Sequence, residues 1–116
     1  IEILEKHHRK KVDAPSGTSI MIANNINKSC NNKYKYIFSR SYSRQKKNKN
    51  EIGFSSIRGG NLIGEHSVFF FGENETIELK HTAYSRNIYV QGALRAAKFI
   101  LQRKNGLYSM DDLINC

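Results

Sequence analysis

Two histidines and a lysine near the start of the chain are the residues best suited to acid–base chemistry. His7, His8 and Lys11 fall within five residues of one another. A histidine gains or loses a proton near neutral pH. A lysine surrounded by other cations gives up its proton more easily than an isolated one, so it can act as a proton donor. The spacing therefore indicates a site that moves protons.

A short polar segment that follows could bind an anion. Ser16, Gly17 and Thr18 come directly after Pro15, in a turn-rich stretch that predicts the start of a helix. The first N–H groups of a helix, its dipole and two hydroxyls together suit a carboxylate or a phosphate. Each feature alone has an ordinary alternative, because surface His and Lys residues are usually solvated and a Pro-Ser-Gly-Thr sequence is usually a helix cap. Their contiguity favours acid–base chemistry on a small anion.

Alternating strand patterns and helical spacing predict the elements that position these residues. A first strand over residues 1–7 ends at the histidine pair, and a helix follows to about Lys28. A last helix with an apolar stripe is predicted over Asn87–Arg103. The remaining predicted strands are Tyr34–Ser39, Ile52–Ile57, Leu62–Phe71 (the longest) and Thr76–His81. The fold class is α+β: a mixed, mostly antiparallel sheet of four to five strands with helices covering one face.

One strand indicates self-association. The run Val68-Phe69-Phe70-Phe71 is apolar at consecutive positions, so it presents bulky side chains to both faces of the sheet. The chain has only two helices of useful length, and these can cover only one face. The other face is therefore predicted to pack against another copy.

Length and composition exclude several classes of protein. The chain has 116 residues, enough for one domain, with 39% hydrophobic and 25% charged residues, as in a soluble globular protein. No apolar run approaches the length of a membrane span, and the first residues lack the features of a signal peptide. We expect a cytoplasmic protein with free thiols at Cys30 and Cys116, and a disulfide between them stays open. Because the chain begins within a strand, we expect it to be part of a longer protein.

The segment from Glu5 to Thr18 resembles the signature E-x-H-H-x-x-K-x-D-A-P-S-G-T of the dihydrodipicolinate reductases. That signature is long and mixed in composition, which makes the resemblance specific. Further matches follow in the same order along the chain: Ile52–Phe54, Ser56–Gly60, Gly64–His66, Ser85–Arg86, Gly92–Ala97 and Gly106–Asp112. The resemblance therefore covers essentially the whole chain.

The resemblance implies a function and a role for each site residue. Enzymes of this family have a Rossmann domain for NADH or NADPH and a second domain that binds substrate and builds a homotetramer. Residues 1–116 are similar to the second domain, and the chain contains no Gly-rich dinucleotide fingerprint. The resemblance implies that a cyclic dicarboxylate imine is reduced in lysine and diaminopimelate biosynthesis. It assigns His7 as catalytic acid/base, Lys11 as proton donor, and as substrate contacts His8, Ser16, Gly17 and Thr18.

Other interpretations stay open at this point. A formal net charge of +9 suits a basic nucleic-acid-binding module, although the phenylalanines cluster in predicted strands rather than among the basic residues. An oligomerisation domain without activity is a second alternative. His66 lies on a predicted strand, where a packed or hydrogen-bonded histidine is expected more often than a catalytic one. No metal is expected, because no carboxylate or thiolate completes a ligand set with the four histidines.

Overall fold

Five strands form one sheet in the computed structural model, which describes residues 1–42 and 44–115. The strands are β1 (Glu2–His7), β2 (Lys35–Ile37), β3 (Glu51–Arg58), β4 (Gly64–Phe71) and β5 (Thr76–Ala83). Their order in the sheet is β2-β3-β1-β4-β5. Strand β1 pairs parallel with β3 on one side and antiparallel with β4 on the other. Strand β2 pairs parallel with β3, and β5 pairs antiparallel with β4.

The predicted α+β class with a mixed sheet of four to five strands is confirmed, and the antiparallel strand pairs join more residues than the parallel ones. Two of the four strand pairings are parallel. Parallel neighbours need long connections, and both pairs have one: residues 8–50, which include helix α1 (Gly17–Ser29) and β2, join β1 to β3, and residues 38–50 join β2 to β3. Strand β4 is also no longer than β3 or β5, since each has eight residues.

Residues Ile1–Tyr84 form a first compact unit. Helix α1 and one face of the sheet enclose its core. Ala23 of α1 is fully buried against Ile3, Ile52, Phe54 and Val68 from three strands. The half-buried Ile20, Ile22 and Ile26 extend this contact along the helix. The predicted helix is therefore confirmed, with its apolar residues on the sheet side, and it fixes one end of β1 beside the start of α1.

The opposite face of the sheet carries an aromatic pair. Phe69 and Phe71 stack with ring centroids 5.8 Å apart and an interplanar angle of 8°, and Phe71 is 58% exposed. Val68 points the other way, into the core. The prediction that this strand is apolar on both faces is confirmed.

The basic loop between β2 and β3 is anchored by ion pairs. Arg40 binds Glu51 at 2.8 Å and Glu2 at 3.0 Å, and Lys47 also binds Glu2. These contacts fasten the exposed Arg40 and Lys47 to the strands beside the loop. Cys30 is a free thiol, and Cys116 lies outside the described residues.

The remaining residues form a second compact unit, Ser85–Cys116. It contains α2 (Asn87–Ile100), which ends three residues before the predicted Arg103, and α3 (Met110–Ile114). The backbone N–H and the hydroxyl of Ser109 both donate to the carboxylate of Asp112 at the start of α3. Within the part of the chain that the structure describes, no helix is long and apolar enough to cross a membrane.

Candidate active site

Strand β1 places two chemically active side chains on the face that α1 covers. Alternation along the strand puts Ile3, Glu5 and His7 on that face, with Ile3 in the core and His7 at the strand end. Glu5 is fully buried and His7 is 9% exposed. The Nδ1 atom of His7 lies 2.5 Å from Oε2 of Glu5. A carboxylate and an imidazole are thus paired at the end of the first strand.

A guanidinium from the neighbouring parallel strand neutralises Glu5. The register pairs Arg58 of β3 with His7, which brings the guanidinium beside the carboxylate. Nη1 of Arg58 donates to Oε2 of Glu5 at 2.8 Å, and Nη2 donates to Oε1 at 2.6 Å. Burial by itself raises the pKa of Glu5, but hydrogen bonds from Arg58, Ser56 and His7 outweigh it and lower that pKa to about 2. Glu5 is therefore a carboxylate at neutral pH.

Ser16 joins this pair to the start of α1. Its backbone N–H donates to Oε1 of Glu5 at 3.2 Å. Its hydroxyl accepts the backbone N–H of Ser19 at 3.2 Å, which is the bond of an N-cap residue. The same hydroxyl lies 2.8 Å from Nε2 of His66. The cap of the helix and the His7–Glu5 pair therefore form one connected network.

His66 belongs to the network as a neutral partner. It sits on β4 opposite Glu5, and its ring meets the ring of His7 edge-on with centroids 5.1 Å apart. Burial lowers the pKa of His66, and nearby His7, His81 and Lys11 lower it further, against the opposing effect of Glu5. The expectation that His66 is a packed or hydrogen-bonded histidine agrees with this geometry.

Lys11 lies in the loop between β1 and α1. Its ammonium binds both carboxylate oxygens of Asp13, at 2.8 and 2.9 Å. The loop is held to the sheet by the turn after β3, where Gly59 N–H donates to His7 C=O at 3.0 Å and Arg9 N–H donates to Gly60 C=O at 3.2 Å. Gly60 has φ of 52°, a conformation that favours glycine. This turn fixes the direction in which the loop leaves the strand.

The start of α1 has free donors that face solvent. Gly17 and Thr18 are exposed, and among the described residues neither backbone N–H has a hydrogen-bond partner. A Cβ added at Gly17 would meet nothing within 4 Å, so the space in front of it is open. His8 is half-buried, and its side chain makes no hydrogen bond in the described part of the chain. The structure thus links His7 and Ser16 through Glu5, whereas His8, Gly17 and Thr18 share no hydrogen bond with them among the described residues.

The sequence alone did not indicate that Glu5, Arg58 and His66 belong to this network. Glu5 and Arg58 lie in segments that resemble the family but were assigned no role, and His66 was expected only to be a packed or hydrogen-bonded histidine on a strand. The spacing of Glu5 and His7, two residues apart on one strand, places both on the same face and was a usable signal for Glu5. No local signal links Arg58 or His66 to His7, because their proximity depends on the pairing of β3 and β4 with β1.

The described residues lack the features of a metal site and of a dinucleotide-binding turn. In residues 1–42 and 44–115, no cluster of three His, Cys, Asp or Glu side chains could hold a metal ion. The loop from β1 to α1, residues 8–16, contains no glycine and cannot form the tight phosphate-binding turn of a dinucleotide site. The turn between β1 and α1 therefore does not fit the pyrophosphate of a nicotinamide dinucleotide.

A sequence model of a known family covers nearly the whole chain. The family is described as dihydrodipicolinate reductase, C-terminus, and it matches residues 1–114. The chain belongs to the dihydrodipicolinate reductase family. It is 49% identical over 114 residues to the 4-hydroxy-tetrahydrodipicolinate reductase of Caldanaerobacter subterraneus subsp. tengcongensis, covering 98% of this chain and 45% of that protein. It is 50% identical over 115 residues to the enzyme of the same name from Clostridium novyi, with the same two coverages.

A solved structure of a dihydrodipicolinate reductase has the same fold. The dipicolinate-bound enzyme from Paenisporosarcina sp. TG-14 matches with a TM-score of 0.72 and 25% identity, over 96% of this chain and 43% of that one. The chain thus spans less than half the length of these dihydrodipicolinate reductases. None of these relatives is a nucleic-acid-binding protein by name, so the alternative of a basic nucleic-acid-binding module has no support.

Proposed function

We propose that residues 1–116 form the substrate-binding, catalytic and tetramerisation domain of a 4-hydroxy-tetrahydrodipicolinate reductase. The enzyme reduces a cyclic dicarboxylate imine to tetrahydrodipicolinate in lysine and diaminopimelate biosynthesis. The observation that carries this proposal is the connected arrangement of a histidine, a buried carboxylate and a helix start, built from the family's signature segment. Relatives that are about half identical carry the name of this activity.

The start of α1 is proposed to bind a carboxylate of the substrate. The free N–H groups of Gly17 and Thr18 point out of a 13-residue helix, whose dipole places partial positive charge there. The Thr18 hydroxyl, and the Ser16 hydroxyl behind it, add polar groups at the same point. His8 is proposed as a further substrate contact, because it follows His7 directly. The bound dipicolinate in the solved relative supports a dicarboxylate as the ligand class.

His7 and Lys11 are proposed to handle protons. A reduced imine nitrogen must receive a proton, and a histidine or lysine beside the substrate can supply it. His7 is held at its Nδ1 atom by Glu5, which leaves Nε2 for the substrate. Lys11 lies on the loop that follows His7, and its ammonium forms an ion pair with Asp13. We propose His7 as the acid/base and Lys11 as the proton donor.

NADH or NADPH is proposed as the reductant, bound mainly by residues outside this chain. A bound nicotinamide would supply the hydride, while the residues described here would bind the substrate and move protons. The residues that would distinguish NADH from NADPH are not in this domain. The same proposal assigns the enzyme to the cytoplasm and makes it a homotetramer through the Phe69–Phe71 face of the sheet.

Steady-state kinetics of the full-length protein test the proposal. His7→Ala and Lys11→Ala should each lower kcat by about a hundredfold or more, the usual range for the loss of an acid–base group. Lys10→Ala is the matched control, because Lys10 is exposed, adjacent and without a partner among the described residues. Its kcat should equal that of the wild type. Full turnover in either site variant would remove that residue from the mechanism, and an inactive wild-type protein would refute the function.

A further inference from the structure

The buried carboxylate of Glu5 makes more hydrogen bonds than a simple ion pair requires. Arg58 binds both of its oxygens, the Ser16 N–H binds one, and His7 binds the other. Burying a charge is costly unless it is paired and hydrogen-bonded. The two bonds to Arg58 already neutralise the charge of Glu5. The further bonds therefore hold His7 and Ser16 in place.

We propose that Glu5 is the positioning residue of the active site, which fixes the tautomer and direction of the His7 ring and ties it to the start of α1. Nδ1 of His7 carries the proton that points to Glu5, and Nε2 faces the substrate. This inference rests on the proposed function, because it assigns Nε2 of His7 to proton exchange with the substrate.

The protonation state of Glu5 determines which nitrogen of His7 carries the hydrogen. A carboxylate has only acceptor oxygens, and the pKa of Glu5 is lowered to about 2 against the effect of burial by bonds from Arg58, Ser56 and His7. In the 2.5 Å contact with His7, Glu5 therefore accepts and Nδ1 donates. Nε2 of neutral His7 is then an acceptor, and it makes no hydrogen bond within the described residues.

Arg58 and Ser16 make this arrangement rigid. The guanidinium of Arg58 also donates to the backbone C=O of Asp13 at 2.7 Å and of Ile57 at 2.9 Å, so it fastens the loop before α1 to β3. Through Ser16, Glu5 holds the first residue of the proposed carboxylate site at a fixed distance from the imidazole. One side chain thus sets the position of the His7 imidazole relative to the bound anion, as orienting residues of other catalytic histidines do.

Nitrogen-15 NMR of histidine-labelled full-length protein tests the tautomer directly. At pH 9 the His7 signals, assigned by comparison with His7→Gln, should show Nδ1 protonated and Nε2 bare. In Glu5→Gln, the side-chain NH2 can donate to Nδ1, so the proton should move to Nε2. If wild-type His7 carries its proton on Nε2, the proposal is overturned, whatever the variants do.

Kinetics separate positioning from a merely structural role. Glu5→Gln keeps an oxygen for Ser16 N–H and Arg58, so KM should stay near the wild-type value while kcat falls by about a hundredfold. Glu51→Gln is the matched control, since it alters another Arg–Glu pair of the same sheet, at 2.8 Å from Arg40 and far along β3 from the site. It should keep the wild-type kcat.

A double variant covers the case in which Glu5→Gln does not fold, and the tautomer measurement covers the case in which the wild type is inactive. If Glu5→Gln does not fold, Glu5→Gln/Arg58→Met removes both charges and should show the same loss of kcat with the same proton shift to Nε2. A folded variant of either kind with wild-type kcat overturns the proposal. If the wild-type protein lacks reductase activity, the proposed function fails, and the tautomer measurement still decides the role of Glu5.

Discussion

Removal of Arg58 should destabilise the sheet far more than removal of a comparable exposed arginine. Arg58→Met leaves Glu5 as a fully buried carboxylate without its guanidinium. The two bonds at 2.6 and 2.8 Å are charge-assisted, and such bonds contribute roughly 1.5–3 kcal/mol each. Breaking one side of a buried ion pair typically costs about 3–5 kcal/mol of unfolding free energy. We expect a loss in this range.

Arg40→Met is the control for this prediction. Arg40 also binds two carboxylates, Glu51 and Glu2, but its side chain is 40% exposed, against 19% for Arg58. The side chains of Glu51 and Glu2 are 15% and 27% exposed, against 1% for Glu5, and Glu2 keeps its ion pair with Lys47, so the cost should be within about 1 kcal/mol. Each variant removes one guanidinium from a pairing with strand carboxylates, and the two differ chiefly in the burial of the carboxylate that remains.

Hydrogen–deuterium exchange of the full-length protein in low urea measures this difference where it arises. Peptides covering β1 and β3 report the free energy of opening these strands. Arg58→Met should accelerate their exchange strongly, and Arg40→Met only slightly. Equal acceleration in the two variants would refute the argument that burial of Glu5 makes the Arg58 contact important.

Two further predictions concern pH and assembly. The pKa of Glu5 is about 2 in the folded protein and ordinarily 4.5. The stabilising contribution of the Glu5 carboxylate is therefore present above pH 4.5 and is lost as the pH falls towards 2. The urea concentration at the midpoint of unfolding should drop over this window in the wild type, and it should drop less in Glu5→Gln. Phe69→Lys places a charge on the aromatic face of the sheet, so light scattering should show that the proposed assembly is converted to smaller species. Tyr42→Lys is the control, because Tyr42 is a loop residue that is 95% exposed. A wild-type protein that stays monomeric as its concentration rises would contradict the prediction.

Local patterns in the sequence were enough to predict most elements and part of the site. The strand that ends at His7, the helix that begins at Gly17 and the cap at Ser16 depend on residues close together along the chain, and all three are present. Their prediction succeeded because alternation and capping act over a few residues. The apolar run at Val68–Phe71 likewise indicated a strand with two apolar faces, because successive side chains of a strand point to opposite faces.

Strand direction and the environment of His7 required the tertiary structure. The parallel placement of β3 beside β1 depends on which strands meet after a long connection, and no local pattern encodes that choice. The same placement brings Arg58, 53 residues along the chain, onto Glu5. His66 reaches Ser16 across 50 residues by the pairing of β4 with β1. The sequence alone determined which residues are able to exchange protons. The register of three strands decided how His7, the histidine proposed to do so, is oriented, because a buried charge takes its partners from whichever strands lie beside it.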